Sequence, residues 1–459
     1  MKHIGTFFFS LFFLFVVSCT GFLTEKSPND IDTEVAIRDA ASAEAALTGI
    51  YSSLQNRSYY GGQYPLMGEA LSDNASTGGY SYISLDQLGA KNVTPANVLV
   101  EQMWIAIWRT TANCNYLLKA LPDVTDLAAN RKKDIEGQAR ALRAMAHFDA
   151  LRYFGEHWNS QSAYGIPIID AVQTIKEVPS RESVSNCYQF ITKELETALG
   201  LLDRAGVSSQ LINPGSTHAL LARVYLFAGD KAKSAENADA VIADASYTLL
   251  PAAKYFTIFT DRRTTESVFE LAFDAQNRSD YNNLTYSRMD AIRPELFYLA
   301  AKSLDDFFKT RSGDVRSALL NFDPAANDVT IVPDGRTQKY RGESTRDNPA
   351  YIIRLAEMYL IRAEAKGRTA GLADLNLVRT QRGLSELSGT DVPNDDAFIN
   401  AVLAERRAEF HFEGHRYFDL ARTGRLASVL GVDAFRAALP IPLREIAASG
   451  GKMLQTPGY

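Results

Sequence analysis

The chain has 459 residues, a net charge of −6, 46% apolar and 22% charged residues, and no block of Lys or Arg. This balance argues against a nucleic-acid surface built on basic charge and fits globular material able to bury a large core. Length alone suggests about three domains, but helical repeats can extend a single body past that prior.

The chain opens with an export signal. Met1-Lys2-His3 is a short basic start, and Ile4 to Val17 is dominated by Phe, Leu and Val. Such a run suits a signal-peptide core and is too short to span a bilayer comfortably. It ends in Val16-Val17-Ser18-Cys19, small residues before a cysteine in the first mature position. A cysteine there is the residue that bacterial lipoprotein machinery acylates, so Cys19 is expected to carry lipid, palmitate included. Residues 1–18 are then the signal peptide, 19–32 a lipid-anchored tether and 33–459 a single domain. An ordinary secretory signal with an incidental cysteine is the alternative. Several acyl chains on one cysteine make a stable anchor, at roughly 0.8 kcal/mol per buried methylene.

Apolar periodicity predicts helices over 33–54, 98–121, 131–154 and 184–202. Between the first two, residues 56–100 are rich in Tyr, Gly, Ser and Asn, with Gly61-Gly62 and Gly78-Gly79 as breakers, and read as a long irregular excursion. A tight helix pair follows at 217–228 and 231–243, broken by Gly229-Asp230. Small residues Ala222, Gly229, Ala232 and Ala235 with Tyr225 give it a loose tetratricopeptide look. A second pair is predicted at 351–366 and 372–381. Residues 248–348 form the largest insertion, with strand-like runs at 268–273 and 329–332 and a Pro333-Asp334-Gly335 turn. The fold class is therefore mainly α: a tetratricopeptide-like scaffold of helical pairs with loop-rich insertions and minor β-structure. Cys114 and Cys187 sit in helical apolar patterns and read as buried thiols, with a disulfide as the alternative.

Two charged motifs invite a chemical reading. Glu405 and Glu409 lie one turn apart, the arrangement a glycosidase would need for its carboxylate pair, but Arg406, Arg407, Arg416 and Arg422 stand beside them. An ion-pair network tying helices together is the expected role. His411 and His415 are spaced as on a zinc helix, yet the intervening Glu413 is misplaced for the protease motif and no third ligand is near. No phosphate loop and no nucleophile elbow occurs, so no catalytic residue, metal or cofactor is assigned.

The positive feature is a binding one. Sugar recognition needs aromatic faces for the C–H side of a pyranose, and carboxylates, amides and Arg for its hydroxyls. Tyr59, Tyr60, Tyr64, Asp73, Asn74, Tyr80 and Tyr82 supply that mixture in one loop region. Tyr281, Asn283, Tyr286 and Arg288 supply it in another. Loop tyrosines also anchor loops on their scaffold, and about half are expected to do so. Trp104 and Trp108 share a helical face and read as core.

Several segments together resemble the SusD/RagB family of Bacteroidetes surface lipoproteins. They are Ala139 to Phe148 through Tyr153-Phe154-Gly155, then Tyr164-Gly165-Ile166-Pro167, Arg354 to Ala365, Glu405 to Phe410 with Glu413 to Arg422, Pro440-Ile441-Pro442, and the terminal Gln455-Thr456-Pro457-Gly458-Tyr459. Thr456 stands where members usually carry Asn. The resemblance implies a helical scaffold whose loop-rich face binds ligand without making or breaking a bond. It implies an outer-membrane lipoprotein facing the cell exterior, acting as a lid on a SusC-type TonB-dependent transporter. Oligosaccharides are the family's usual ligands and peptides the minority. A lipid-anchored glycan hydrolase is the competing reading from another class.

Overall fold

The computed structural model describes residues 36–77, 82–174, 178–203, 208–285, 298–321, 335–340, 345 and 347–459. Cys19, the signal and the tether lie outside these residues. So do Tyr80, Tyr286, Arg288 and the strand expected at 329–332.

Helix α1 (Ala40–Leu54) starts later than its Ala-rich pattern suggests because Asp39 caps it. The Asp39 carboxylate accepts from Ser42 N–H, and Ser42 Oγ accepts from Asp39 N–H. The Ala40 N–H donates to Asp126 at 2.8 Å, which seats the start of α1 beside residue 126. The segment read as irregular, 56–100, is more ordered than expected. It holds α2 (Gln63–Ala70), strand β1 (Ala75–Thr77) and α3 (Ile83–Gly89). Every residue of α2 is buried, so tertiary contact rather than propensity holds a helix containing Pro65 and Gly68.

Local signals place the long helices well. Asn97 caps α4 (Val98–Ala120), and Ser183 caps α6 (Val184–Leu201) through Asn186 N–H. Between them lies α5 (Ala129–Phe154), largely buried over its second half. In the pair α7 (Pro214–Ala228) and α8 (Lys231–Ile242), Gly229 takes φ +84° and Asp230 caps α8, which completes the turn in two residues.

The insertion carries short elements. They are α9 (Thr257–Thr260), β2 (Ser267–Leu271), α10 (Tyr281–Thr285), β3 (Tyr298–Ala300), α11 (Lys302–Lys309), β4 (Leu320–Asn321) and β5 (Arg336–Thr337). Strand β6 (Ala350–Arg354) pairs antiparallel with β2, Leu271 facing Ala350 and Ser267 facing Arg354. This pairing claims the start of what periodicity assigns to a helix at 351–366, because Tyr351, Ile352 and Ile353 are all buried in the sheet. Helix α12 (Leu355–Thr380) follows, with a non-helical break at Gly367 that corresponds to the expected helix pair. The chain ends with α13 (Asp395–Phe410), α14 (Arg416–Arg422), α15 (Leu426–Leu430) and α16 (Leu443–Ala448). In order, α1, α4, α5, α6, α7, α8, α12 and α13 each pack on the next, a mainly helical body built by neighbour-to-neighbour contact. Cys114 and Cys187 are both buried and free.

The acidic stretch of α13 is buried in an ion-pair network. Glu409 receives Arg316 at 3.0 Å, Arg354 at 2.6 Å and Arg382 at 2.9 Å. Burial opposes its ionisation, but Arg382, Arg354 and Arg316 hold its carboxyl well below the usual range. Arg382 also binds Glu266 at 2.9 Å, Arg354 binds Glu413 at 2.8 Å, and Arg316 and Arg311 both bind Glu405. The network joins α13 to β6, to the start of β2 and to the turn after α11. It leaves Glu405 and Glu409 fully enclosed, with no face for a substrate. His411 Nδ1 pairs with the Ala408 carbonyl and His415 Nδ1 faces Arg406, so neither shares a ligand set with the other.

At the C-terminus, all five N–H groups of Arg181 are committed. They reach the carbonyls of Phe154, Tyr164, Gly165 and Leu454 and the hydroxyl of Thr456. Gln455 closes a two-way amide pair with Ile441, both bonds 2.9 Å. The terminal motif is thus a clasp.

Candidate functional site

The first tyrosine group folds inward. Asp149, on α5, accepts the hydroxyls of Tyr59 at 2.6 Å, Tyr60 at 2.8 Å and Tyr64 at 2.7 Å, and the Arg152 guanidinium at 2.6 Å. All three rings are buried and pack on one another at centroid distances of 4.7–5.4 Å. Burial pushes their phenols well above the ordinary value, so each is a neutral donor to a carboxylate. Tyr59 and Tyr64 therefore tie the segment before α2 and the first turn of α2 to the scaffold and present no open ring face.

The next two predicted residues also bond within the protein. Asp73 is shared by Arg416, at 2.8 Å, and Arg407, at 3.1 Å. Burial opposes ionisation, but these two arginines lower its carboxyl pKa. Asn74 donates to the buried Glu69 at 2.9 Å and accepts from Arg407 at 2.9 Å. Glu69 also accepts from the Gly414 N–H at 2.7 Å, and burial pushes its carboxyl up to about 7. Sequence reasoning missed Glu69 as the support of Asn74; its only local signal is a carboxylate inside an apolar stretch.

Tyr281 is buried too. Its ring stacks on Tyr340 at 4.2 Å and its hydroxyl donates to the Tyr60 carbonyl. Asn283 falls in α10, with its side chain outside the described residues. Tyr281, Tyr340, Tyr351, Tyr60 and Arg152 line a partly enclosed cavity of about 20 Å³, room for a water and too small for a sugar ring.

The place where the two predicted loop regions meet is a small strand cluster. Strand β1 pairs antiparallel with β3, Ala75 facing Ala300 and Thr77 facing Tyr298. The Ala300 N–H donates to the Gly335 carbonyl at 2.6 Å, and β5, next in chain, pairs with β4. Gly335 has φ +93°, and a Cβ there would lie 2.9 Å from the Ala300 oxygen, so only glycine fits. Thr77, Tyr298, Asn321 and Gly335 border the sequence segments 78–81, 286–297 and 322–334. Chain stretches more than 200 residues apart thus have their ends on one rim. The Glu69–Asn74 pair holds this rim to the scaffold, since the Asn74 carbonyl accepts from Ala301, the residue after β3.

Tyr82 caps α3, a helix that packs on β1, and is 41% exposed; Ile83 next to it is 74% exposed. Of the described tyrosines proposed from sequence, Tyr82 alone offers a ring to solvent. Ser76 is exposed and Thr77 half-buried on β1.

Comparison with known proteins agrees with this architecture. Residues 330–433 match the SusD family model, and 21–226 match the model described as starch-binding associating with outer membrane. The chain belongs to the SusD/RagB family. SusD-like protein P2 of Formosa agariphila is 26% identical, over 98% of this chain and 99% of that one. A SusD superfamily protein from Bacteroides vulgatus is 26% identical, superposing with a TM-score of 0.78 over 92% of this chain and 99% of that one. Surface glycan-binding protein A from Bacteroides thetaiotaomicron, solved in complex with laminarihexaose, is 21% identical with a TM-score of 0.75, over 91% of this chain and 99% of that one. The SusD-like family is one of carbohydrate-binding proteins of the outer membrane.

Proposed function

We propose that the protein binds an oligosaccharide at the rim formed by β1, β3 and the Gly335 turn, and delivers it to a SusC-type TonB-dependent transporter. Cys19 carries the lipid that holds it in the outer membrane, facing the cell exterior. It acts by binding alone. The observation that carries this reading is the convergence, on one strand cluster, of the aromatic and polar segments singled out from the sequence. The exposed Tyr82 supports it, and so does the enclosure of Glu405 and Glu409, which removes the carboxylate pair a hydrolase would use. Tyr80, Tyr286 and Arg288 are proposed contacts from sequence, entering from the segments that this rim bounds. Asp73 and Asn74 contribute by shaping the rim.

The test is titration calorimetry with a panel of oligosaccharides and peptides, on the wild type and Tyr82→Ala. Oligosaccharide binding weakened by roughly 1–3 kcal/mol in Tyr82→Ala, at unchanged melting temperature, is the expected outcome, by analogy with aromatic stacking on bases. Binding of peptides only, or full affinity without the Tyr82 ring, refutes the proposal.

A further inference from the structure

The small cavity beside Tyr60 and Tyr281 has a wall rich in donors that the protein leaves unused. Arg152 of α5, Arg223 of α7, Tyr351 of β6 and His415, just before α14, all line it, and each is more than nine-tenths buried. Arg152 commits Nη2 to Asp149 and to the Tyr64 hydroxyl, while its Nε has no partner among the described residues. The Phe148 and Phe418 ring centres lie 4.7 and 4.5 Å from its guanidinium carbon and keep that charge away from bulk water. Arg223 uses Nε and Nη2 on Glu357 and the Ile352 carbonyl, which leaves Nη1. The Tyr351 hydroxyl is also unpartnered among the described residues.

His415 joins this set through its tautomer. A guanidinium can only donate, so the 3.2 Å contact from Arg406 makes His415 Nδ1 an acceptor. Burial, with Arg223 and Arg406 nearby, holds the ring neutral, and its one proton therefore sits on Nε2. Acceptors are scarce by comparison. Glu413 is the one carboxylate in the wall, and Lys339 and Arg354 already hold both its oxygens. The four other tyrosine hydroxyls there donate to Asp149 or to backbone carbonyls. A water gives as many hydrogen bonds as it takes, whereas an anion only accepts. Two guanidinium groups would reach an anion through charge-assisted bonds, strengthened by the low polarity around them. A space of about 20 Å³ is little more than water-sized, which suits a monatomic ion rather than a phosphate, sulfate or carboxylate.

We infer that this cavity binds a chloride ion, which ties α5, α7, β6 and the turn before α14 together. The inference stands apart from the glycan-binding reading. For the test, the full mature chain is melted in sodium chloride and in sodium gluconate at equal ionic strength and pH. The melting temperature should rise with chloride to a plateau and stay flat in gluconate. Tyr351→Phe removes a hydroxyl with no other partner, so it should fold normally in gluconate and need about three-fold more chloride, or above, for the same rise. In wild-type crystals soaked in sodium bromide, anomalous scattering should place one bromide against Arg152 and Arg223. Equal melting curves in the two salts, an unchanged chloride response in Tyr351→Phe, or a water where the bromide is expected overturns the inference. A bromide peak with no chloride-dependent stability marks an adventitious ion only and overturns it as well.

Discussion

The tyrosines that look most like a sugar platform are predicted to matter for stability instead. Asp149 takes four hydrogen bonds from three phenols and Arg152, all buried. A hydrogen bond to a charged group contributes about 1.5–3 kcal/mol, so Tyr59→Phe and Tyr64→Phe should each cost about that much. Asp149→Ala removes all four acceptor contacts and leaves Arg152 without its carboxylate. Breaking a buried pair alone costs about 3–5 kcal/mol, a large share of a typical stability of roughly 5–15 kcal/mol. The Phe variants are therefore the readable experiment, through urea unfolding followed by circular dichroism, with oligosaccharide affinity measured on the same preparations. The expected pattern is a lower urea midpoint, an unchanged m-value and an unchanged Kd. In a cycle with Asp149→Asn, the Tyr59→Phe effect should shrink, since the shared acceptor has lost its charge. Full stability with lost binding in Tyr59→Phe or Tyr64→Phe would refute the assignment and return these rings to the ligand.

Three further outcomes follow from other contacts. Glu69 has an ordinary pKa of 4.5 and about 7 in the fold, so between those values the native state holds the extra proton. By linkage its contribution is fully favourable below pH 4.5, declines by about 3 kcal/mol as pH rises to 7, and is flat above. Subtracting the Glu69→Gln stability curve from the wild-type curve should reveal that slope, and a flat difference would contradict it. Arg181→Lys keeps the charge but cannot match five fixed acceptors. Hydrogen exchange at 454–459 should accelerate at least ten-fold, and unchanged protection would show that the clasp is held elsewhere. Cys19→Ala should leave oligosaccharide affinity in solution intact while moving the protein from the membrane fraction to the soluble one. Retention in the membrane fraction would refute lipid anchoring.

Much of the scaffold was legible because its signals are local. Asn97, Ser183 and Asp230 mark helix starts by their side-chain caps, and Gly229 marks a turn. What could not be read locally was decided by partners far along the chain. Tyr59, Tyr60 and Tyr64 look like loop aromatics until Asp149, 85–90 residues away, is placed beside them. Helix α2 is hidden by its own Pro and Gly content and exists through burial on every side. Tyr351 to Arg354 continue a helical pattern, yet the pairing with β2 makes them a strand. The Glu405–Glu409 network was legible in kind, because arginines flank it in sequence. Its principal partners for Glu409, Arg316, Arg354 and Arg382, come from other parts of the chain. The rim itself combines both cases: its loops stand out by composition, and their meeting depends on strand pairs no local pattern specifies.

The seating of the first helix has a mechanical consequence. Asp126 fixes the start of α1 just beyond the C-terminal end of α4, whereas Asn97, at the other end of α4, bonds the Ser84 carbonyl of α3 near the rim. The 23 residues of α4 make a strut about 34 Å long between these two points. Any pull transmitted through the N-terminal segment enters the molecule at the far end of that strut from the rim. Such a pull is then borne along one continuous helix rather than across loops.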